Sequence, residues 1–318
     1  MKWILLALAF VLGHAGAQSW PTKPVRVIVT FSPGGSSDIV ARLIGAPLQA
    51  ELGQPVIVDN KPGAGGTIGA LEAARAEPDG YTLLLSNSAP ISISPAMQDQ
   101  PRYDPVKSFT HVSYIGSVAN VFVVHPSVPA KSFAELLAWI RAQRDPVPYG
   151  SGGIGSIGHL VGETMKKDHG GLRMEHVGYK GSSPMHNDLL AGTIKLAIDT
   201  LPQNVPFMKD GKLRAIAVTS PARAPMAPEV PSVLELGQKK LVAENFLGVS
   251  GPAGLPRAVV ERLHGAMRKS LANATVAQRL GELGVQGREM SPAQFSAFVA
   301  GQVKDWTQPV KDSGAKLN

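Results

Sequence analysis

The chain has 318 residues, 44% hydrophobic and 17% charged, with 34 glycines, 26 prolines and no cysteine. The length favours two domains over one core, the composition excludes a disordered or collagen-like chain, and the absent cysteines exclude disulfides, thiol nucleophiles and Cys-ligated zinc or iron–sulfur sites. The net charge of +7 comes from scattered basic residues without aromatic interleaving, which favours mild attraction of anions and argues against a nucleic-acid partner.

Lys2, an apolar run over residues 3–12 and the small triplet Ala15-Gly16-Ala17 predict a signal peptide over residues 1–17, cleaved after Ala17. The run is too short for a bilayer, which takes about 20 residues. A periplasmic, monomeric mature protein is expected. Residues 25–31, Val-Arg-Val-Ile-Val-Thr-Phe, read as a buried strand. The turn Ser32-Pro33-Gly34-Gly35-Ser36-Ser37-Asp38 follows, then a helix with Ile39, Val40, Leu43 and Ile44 on one face and a kink at Pro47. A strand over 55–58, a Gly-rich loop over 59–67, a helix over 68–76 and a strand over 81–85 complete a βαβαβ rhythm. That rhythm implies a parallel sheet with helices on its faces.

A second α/β unit begins with a strand over 121–124 and a helix over 133–141. A short strand near Pro148 enters the loop over 150–158, and a helix continues to about Lys167. Strands over 175–179, 194–199 and 213–219 alternate with helices over 184–190 and 205–209. A proline-rich loop over 221–231 leads to a strand over 245–249 and three closing helices over 258–271, 276–283 and 292–310. The closing helices have no strands of their own to cover and are placed back on the first unit. The chain then crosses between units near 119–121 and 244–246. The expected domains are 18–120 with 245–318, and 121–244, with a hinged cleft between them.

The turn over 32–38 joins a strand to a helix start, whose free N–H groups and dipole favour an anion. Gly34 and Gly35 permit close approach of a ligand to the backbone. Asp38 reads as a helix-start residue. Gly150, Gly152 and Gly155 form a literal G-x-G-x-x-G, but a dinucleotide site also wants an acidic residue ending the next strand. Glu175 begins its strand instead. A small-anion site at that helix start, with the hydroxyls of Ser151 and Ser156, needs less. His159 follows directly, either in the cleft or packed in the helix. Ser86 and Asn87 lie after a strand's C-terminal end, where ligands gather in open α/β sheets, and Asp199 ends another strand the same way. No HExxH, P-loop, G-x-S-x-G or metal-spaced cluster is present. Catalytic residues, metals and cofactors are therefore not expected.

Several stretches read together: Val25-Arg26-Val27-Ile28-Val29 into the 32–38 turn, Gly53-Gln54-Pro55-Val56-Ile57-Val58-Asp59-Asn60-Lys61-Pro62-Gly63-Ala64-Gly65-Gly66, and Pro78-Asp79-Gly80-Tyr81-Thr82-Leu83-Leu84. Later come Tyr149-Gly150-Ser151, Gly155-Ser156, His159-Leu160, His176-Val177, Tyr179-Lys180-Gly181, Asp188-Leu189-Leu190 and Gly211-Lys212-Leu213-Arg214-Ala215. In order and over nearly the whole mature chain, they resemble the Bug-type substrate-binding receptors of tripartite tricarboxylate transporters. The resemblance implies a two-lobe, type II periplasmic-binding-protein fold of the α/β class with a ligand cleft between lobes. It implies capture of a small carboxylate, held mainly by amides, hydroxyls and waters of two loops, for delivery to inner-membrane transporter subunits. The matching loops are 31–37 and 151–156. The expected ligand residues are Phe31, Ser32, Pro33, Gly34, Gly35, Ser37, Ser86, Asn87, Ser151, Gly152, Gly155, Ser156, His159 and Asp199. A sensor that presents its closed form to a membrane kinase, and a secreted α/β enzyme, are the alternative readings.

Overall fold

Short β-branched and apolar runs alternate with amphipathic helices along most of this chain, and each pair is too short to bury its apolar surface alone. They stack instead around a continuous, bent sheet. The computed structural model describes residues 20–317; the expected signal peptide lies outside the described residues. The strands are β1 (Val25–Val29), β2 (Val56–Asn60), β3 (Thr82–Asn87), β4 (Phe109–Val124), β5 (Val147–Ser151), β6 (Met174–Gly178), β7 (Leu196–Thr200), β8 (Arg214–Val218) and β9 (Glu244–Pro252). The helices are α1 (Ser36–Leu52), α2 (Thr67–Ala74), α3 (Phe133–Ala142), α4 (Ile157–Asp168), α5 (Ser182–Leu190), α6 (Leu201–Lys209), α7 (Arg257–Ala272), α8 (Ala274–Glu282) and α9 (Pro292–Ser313).

Strand order is β2-β1-β3-β9-β4-β7-β5-β6, with β8 also on β4. β1 pairs in parallel with β2 and β3, and β5 pairs in parallel with β6 and β7. The two parallel halves are joined by antiparallel strands. β4 is the long one. Its first part runs beside β9, as far as Ala119 opposite Glu244. From Asn120 onward it pairs with β7, and from Val121 also with β8. One strand thus belongs to both lobes and changes neighbours between Ala119 and Asn120.

Sequence patterning shows only the end of β4. Residues 109–119 are almost all buried on both faces, so the alternation that marks a half-buried strand is absent. α1 runs on through Pro47 to a left-handed Gly53 cap, and α5 and α6 each start earlier than their apolar spacing suggests. Residues 89–97 form two short irregular helical turns carrying Pro90 and Pro95.

Each lobe has apolar layers on both faces of its sheet. In the first, Val27, Val29, Leu83 and Leu85 meet α1 and α7, while Ile28 and Leu84 meet α2, Phe246 and Phe295 on the other side. In the second, Phe122, Tyr149, Leu196 and Ile198 meet α3 and α4, and Val121, Val123 and Ala197 meet α5 and α6. α9 reaches both lobes. Phe295 and Val299 pack in the first, and Val310 in the core that contains Leu160 and Met165.

Candidate functional site

The two halves of the sheet place strand ends opposite one another, and the helices that follow those strands start there. A narrow, largely closed cleft lies between them. Four helices begin in its wall. Gly35, Ser156, Gly181 and Thr200 line it, and these are the N-cap residues of α1, α4, α5 and α6. The first amides of a helix have no partner within the helix, and the helix dipole adds positive potential there. No lysine or arginine is among the lining residues. The arrangement suits an anion held by amides and hydroxyls.

The first loop is fixed from behind. Asp38, in the first turn of α1, accepts from the Gly34 amide (2.9 Å), from Arg42 and from Asn60, whose Nδ2 also donates to the Phe31 carbonyl (3.0 Å). Burial alone would raise the Asp38 carboxyl, but the bonds from Arg42, Gly34 and Asn60 outweigh it and hold it below the usual carboxylate range. Asp38 therefore shapes the loop. Phe31, Gly35, Ser36 and Ser37 reach the cleft lining. Ser32, Pro33 and Gly34 form its lip. The Ser32 amide donates to the Lys180 carbonyl (3.3 Å), and so does its hydroxyl. Ser183 donates to the Pro33 carbonyl (3.4 Å). Gln203, with its amide turned to satisfy both groups, donates to the Gly34 carbonyl (2.9 Å) and accepts from the Ser36 amide (3.0 Å). Gly34 has φ +81°, and a Cβ there would meet Ser183 Oγ at 3.1 Å, so glycine suits both the turn and the close approach.

The second loop is braced by histidines. Ser156 caps α4 by accepting from the His159 amide (3.3 Å) and donates to Ser151 Oγ (3.0 Å). Ser151 Oγ also lies 2.7 Å from His176 Nε2. His159 Nδ1 accepts from the Gly155 amide (3.1 Å), and its ring stacks on His176 with 3.9 Å between centroids. Burial holds His159 down to about 4, and burial together with His159 holds His176 down to about 3. Gly152 and Ser156 line the cleft; Ser151, His159 and His176 stand behind them. Gly155 (φ +78°) faces the other lobe, where a Cβ would come within 2.3 Å of Ser94 Oγ.

The remaining expected residues divide. Asn87 lines the cleft, donating weakly toward Thr30 and Ser37 and accepting from the Ala89 amide (3.1 Å). Ser86 lies in the sheet, accepting from Ser250, which bonds His111. Asp199 lines the cleft and is fully buried. Burial pushes its carboxyl up, opposed by His186 and by bonds from Ser182, the Thr200 amide and Asn204. The sequence reading missed Ser36, Asn120, Gly181, Ser182, Thr200 and Asn245 in the lining. Asn120 and Asn245 sit where the chain was expected to cross between units, which is the one signal that pointed to them. Among the described residues no group of three or more His, Cys, Asp or Glu side chains is placed to hold a metal ion.

Residues 40–315 match the family described as tripartite tricarboxylate transporter family receptor. Protein BugT of Bordetella pertussis is 33% identical over 99% of this chain and 96% of its own length. A solved periplasmic transporter is 39% identical, with a TM-score of 0.89 over 94% of this chain and 100% of its own. MatC from Rhodopseudomonas palustris with bound malate is 28% identical (TM-score 0.87, 92% and 100% covered). A second R. palustris protein, solved with adipate, is 32% identical (TM-score 0.88, 94% and 99% covered).

Proposed function

The chain belongs to the tripartite tricarboxylate transporter receptor family, and from that premise we propose that it is a periplasmic solute-binding receptor that captures a small carboxylate in the cleft between its lobes. The observation that carries this reading is the convergence of four helix N-caps, Gly35, Ser156, Gly181 and Thr200, on one cleft without a cationic side chain. The malate and adipate bound by two similar proteins are the kind of anion such a wall accepts. Asn87, Gly152, Ser36 and Ser37 complete the first contacts, with Asp199 on the floor.

The lobes we assign are 18–120 with 245–318, and 121–244, swinging about the β4 and β9 crossings, with the C-terminal end of α9 lying across onto the second lobe at Val310. The chain acts as a monomer and carries no catalytic residue, metal or cofactor. Ligand draws the lips together, and inner-membrane transporter subunits receive the closed form. A ligand shifts that equilibrium only by its preference for the closed state. Export removes residues 1–17, which mass spectrometry of the mature N-terminus checks.

The test is a thermal-shift panel of mono-, di- and tricarboxylates on protein stripped of carried ligand by unfolding and refolding. A ligand at about 100 times its Kd adds about 2.7 kcal/mol, or several degrees at about 2–4 °C per kcal/mol. A selective rise with one acid supports the receptor reading. A panel flat for every acid, with an ester or nucleotide turned over, refutes it.

A further inference from the structure

The cleft wall leaves two polar atoms without partners, side by side. Asn120 is 3% exposed and its Oδ1 meets no donor; Thr200 Oγ1 is also unpartnered. The two are cross-strand partners on β4 and β7, and both line the cleft. The other orphaned side-chain atoms among the described residues, on Trp20, Arg26 and Ser92, lie outside that lining. Thr200 is an N-cap, a position whose hydroxyl ordinarily accepts from an amide in the first turn, yet it makes no such bond. The Asn120 main chain is anchored on both sides, its amide to Thr219 Oγ1 (2.9 Å) and its carbonyl to the Thr219 amide (2.8 Å). Its side chain, which makes no hydrogen bond at either end of its amide, stands where the strand changes lobes. Asp199 adds a further acceptor to this wall, already engaged by Ser182 and Asn204. Buried acceptors are costly to leave unmet.

We propose that the carboxylate captured here carries a hydrogen-bond donor near its carboxylate, a hydroxyl or an ammonium, and that Asn120 Oδ1 with Thr200 Oγ1 receives it. The proposal rests on the receptor reading above and deepens it. The helix starts take the anionic end. The acceptors of Asn120 and Asp199 repel a second carboxylate or a carbonyl placed against them and pair with O–H or N–H. An unsubstituted acid leaves Asn120 unmet in the closed cleft, whereas a hydroxy or amino acid satisfies it. The selectivity thus comes from a buried group that only one ligand class completes.

The experiment is isothermal titration calorimetry of the stripped, full-length mature protein with two matched series. One is propionate, lactate, alanine and pyruvate; the other is glutarate, 2-hydroxyglutarate, glutamate and 2-oxoglutarate. The expected result is that a hydroxy or amino member binds about tenfold or more tightly than its unsubstituted parent. Asn120→Leu brings the ratio near one. Thr200→Val, which keeps the shape, lowers it severalfold and carries the test if the leucine variant does not fold. Asn120→Asp separates the two donors, because it raises the amino member over the hydroxy one. Parents that bind as well as their substituted partners, oxo acids that bind best, or a ratio unchanged in both variants each overturn the proposal while leaving the receptor reading in place. Binding of none of the eight, with none of the wider acid panel stabilising the fold, overturns both.

Discussion

Substituting Gly155 by alanine tests whether the seam between the lobes must be shut for a ligand to be held. Two separate costs arise. Gly155 has φ +78°, and an L-residue there costs about 1–2 kcal/mol. That strain sits within the loop in the open and closed forms alike, so it lowers stability without altering affinity. The new methyl would also lie 2.3 Å from Ser94 Oγ and 3.3 Å from Leu317 Cδ1. Ser94 cannot simply swing aside, because its hydroxyl donates to the Gly65 carbonyl at 2.8 Å. Overpacking of this kind costs about 1–3 kcal/mol, and the prediction is that it arises only as the seam shuts. It therefore falls on ligand affinity, about 5- to 150-fold in Kd. Calorimetry on the wild type, Gly155→Ala, Ser94→Ala and the double variant separates the two costs. In the double variant the clashing oxygen is gone, so most of the affinity returns while the loop strain stays, a coupling of about 1–2 kcal/mol between neighbours. An unchanged Kd in Gly155→Ala, or a double variant as weak as the single, would sink the argument.

Three further outcomes are expected. His111, His159 and His176 are held by burial at about 4, about 4 and about 3, against 6.5 when exposed. Below pH 6.5 the unfolded chain binds protons that the folded one refuses, so their stabilisation is full above 6.5 and is lost as pH falls toward 4 and then 3. Each contributes up to about 1.4 kcal/mol per pH unit in that window; Tm should drop on acidification, less steeply in His159→Gln, and a flat Tm from pH 6.5 to 4.5 contradicts this. Gly162→Ala would set a methyl 2.2 Å from the fully buried Tyr149 ring, destabilising the second lobe by about 1–3 kcal/mol, so urea unfolding at a wild-type midpoint would show that the ring moves freely. Gln203→Ala removes both amide bonds to the Gly34–Ser36 lip, each worth about 0.5–1.5 kcal/mol net; calorimetry should show Kd raised about 5-fold or more, and weakened stability without weakened binding would place Gln203 outside the closing contacts.

How much of this was legible in the sequence follows from where each element gets its stability. The parallel units were visible because β1 and β3 are continuous apolar runs, each leading into glycine, serine or asparagine and then a helix. The helix starts at Gly35 and Ser156 were visible for the same reason, since a cap is a local property. The first part of β4 was not visible. Buried on both faces and interrupted by His111, Ser113, Gly116 and Ser117, it shows neither alternation nor a β-branched run, and its pairing with β9 joins residues far apart in sequence. Gly181 and Gln203 were missed because their roles come from what lies opposite them, the 32–36 lip, and Thr200 because its strand partner Asn120 is far away in sequence; no pattern along the chain encodes either. His159 shows the converse. It stands beside a glycine-rich loop and looks like a ligand group, yet its Nδ1 is spent on the Gly155 amide.

The absence of a cation from the cleft lining has a consequence for how binding and closure are linked. A lysine or arginine in an empty, closing cleft would need its own counter-charge, because an unpaired buried ion costs several kcal/mol. Helix starts carry their positive potential without that cost. Each stabilises an anion by about 0.3–1 kcal/mol, more when partly buried, so four give about 1–4 kcal/mol, about tenfold to a thousandfold in Kd. The four are unequally shared. α4, α5 and α6 follow β5, β6 and β7 of one lobe, while α1 follows β1 of the other. An anion in the open cleft meets three starts at most. On the hinge proposed above, the fourth, with the Ser32, Gly34 and Ser36 lip bonds, is gained on closure, and that share would be the differential affinity that moves the lobes. Removing lip bonds should therefore weaken binding while leaving the anion preference of the second lobe intact.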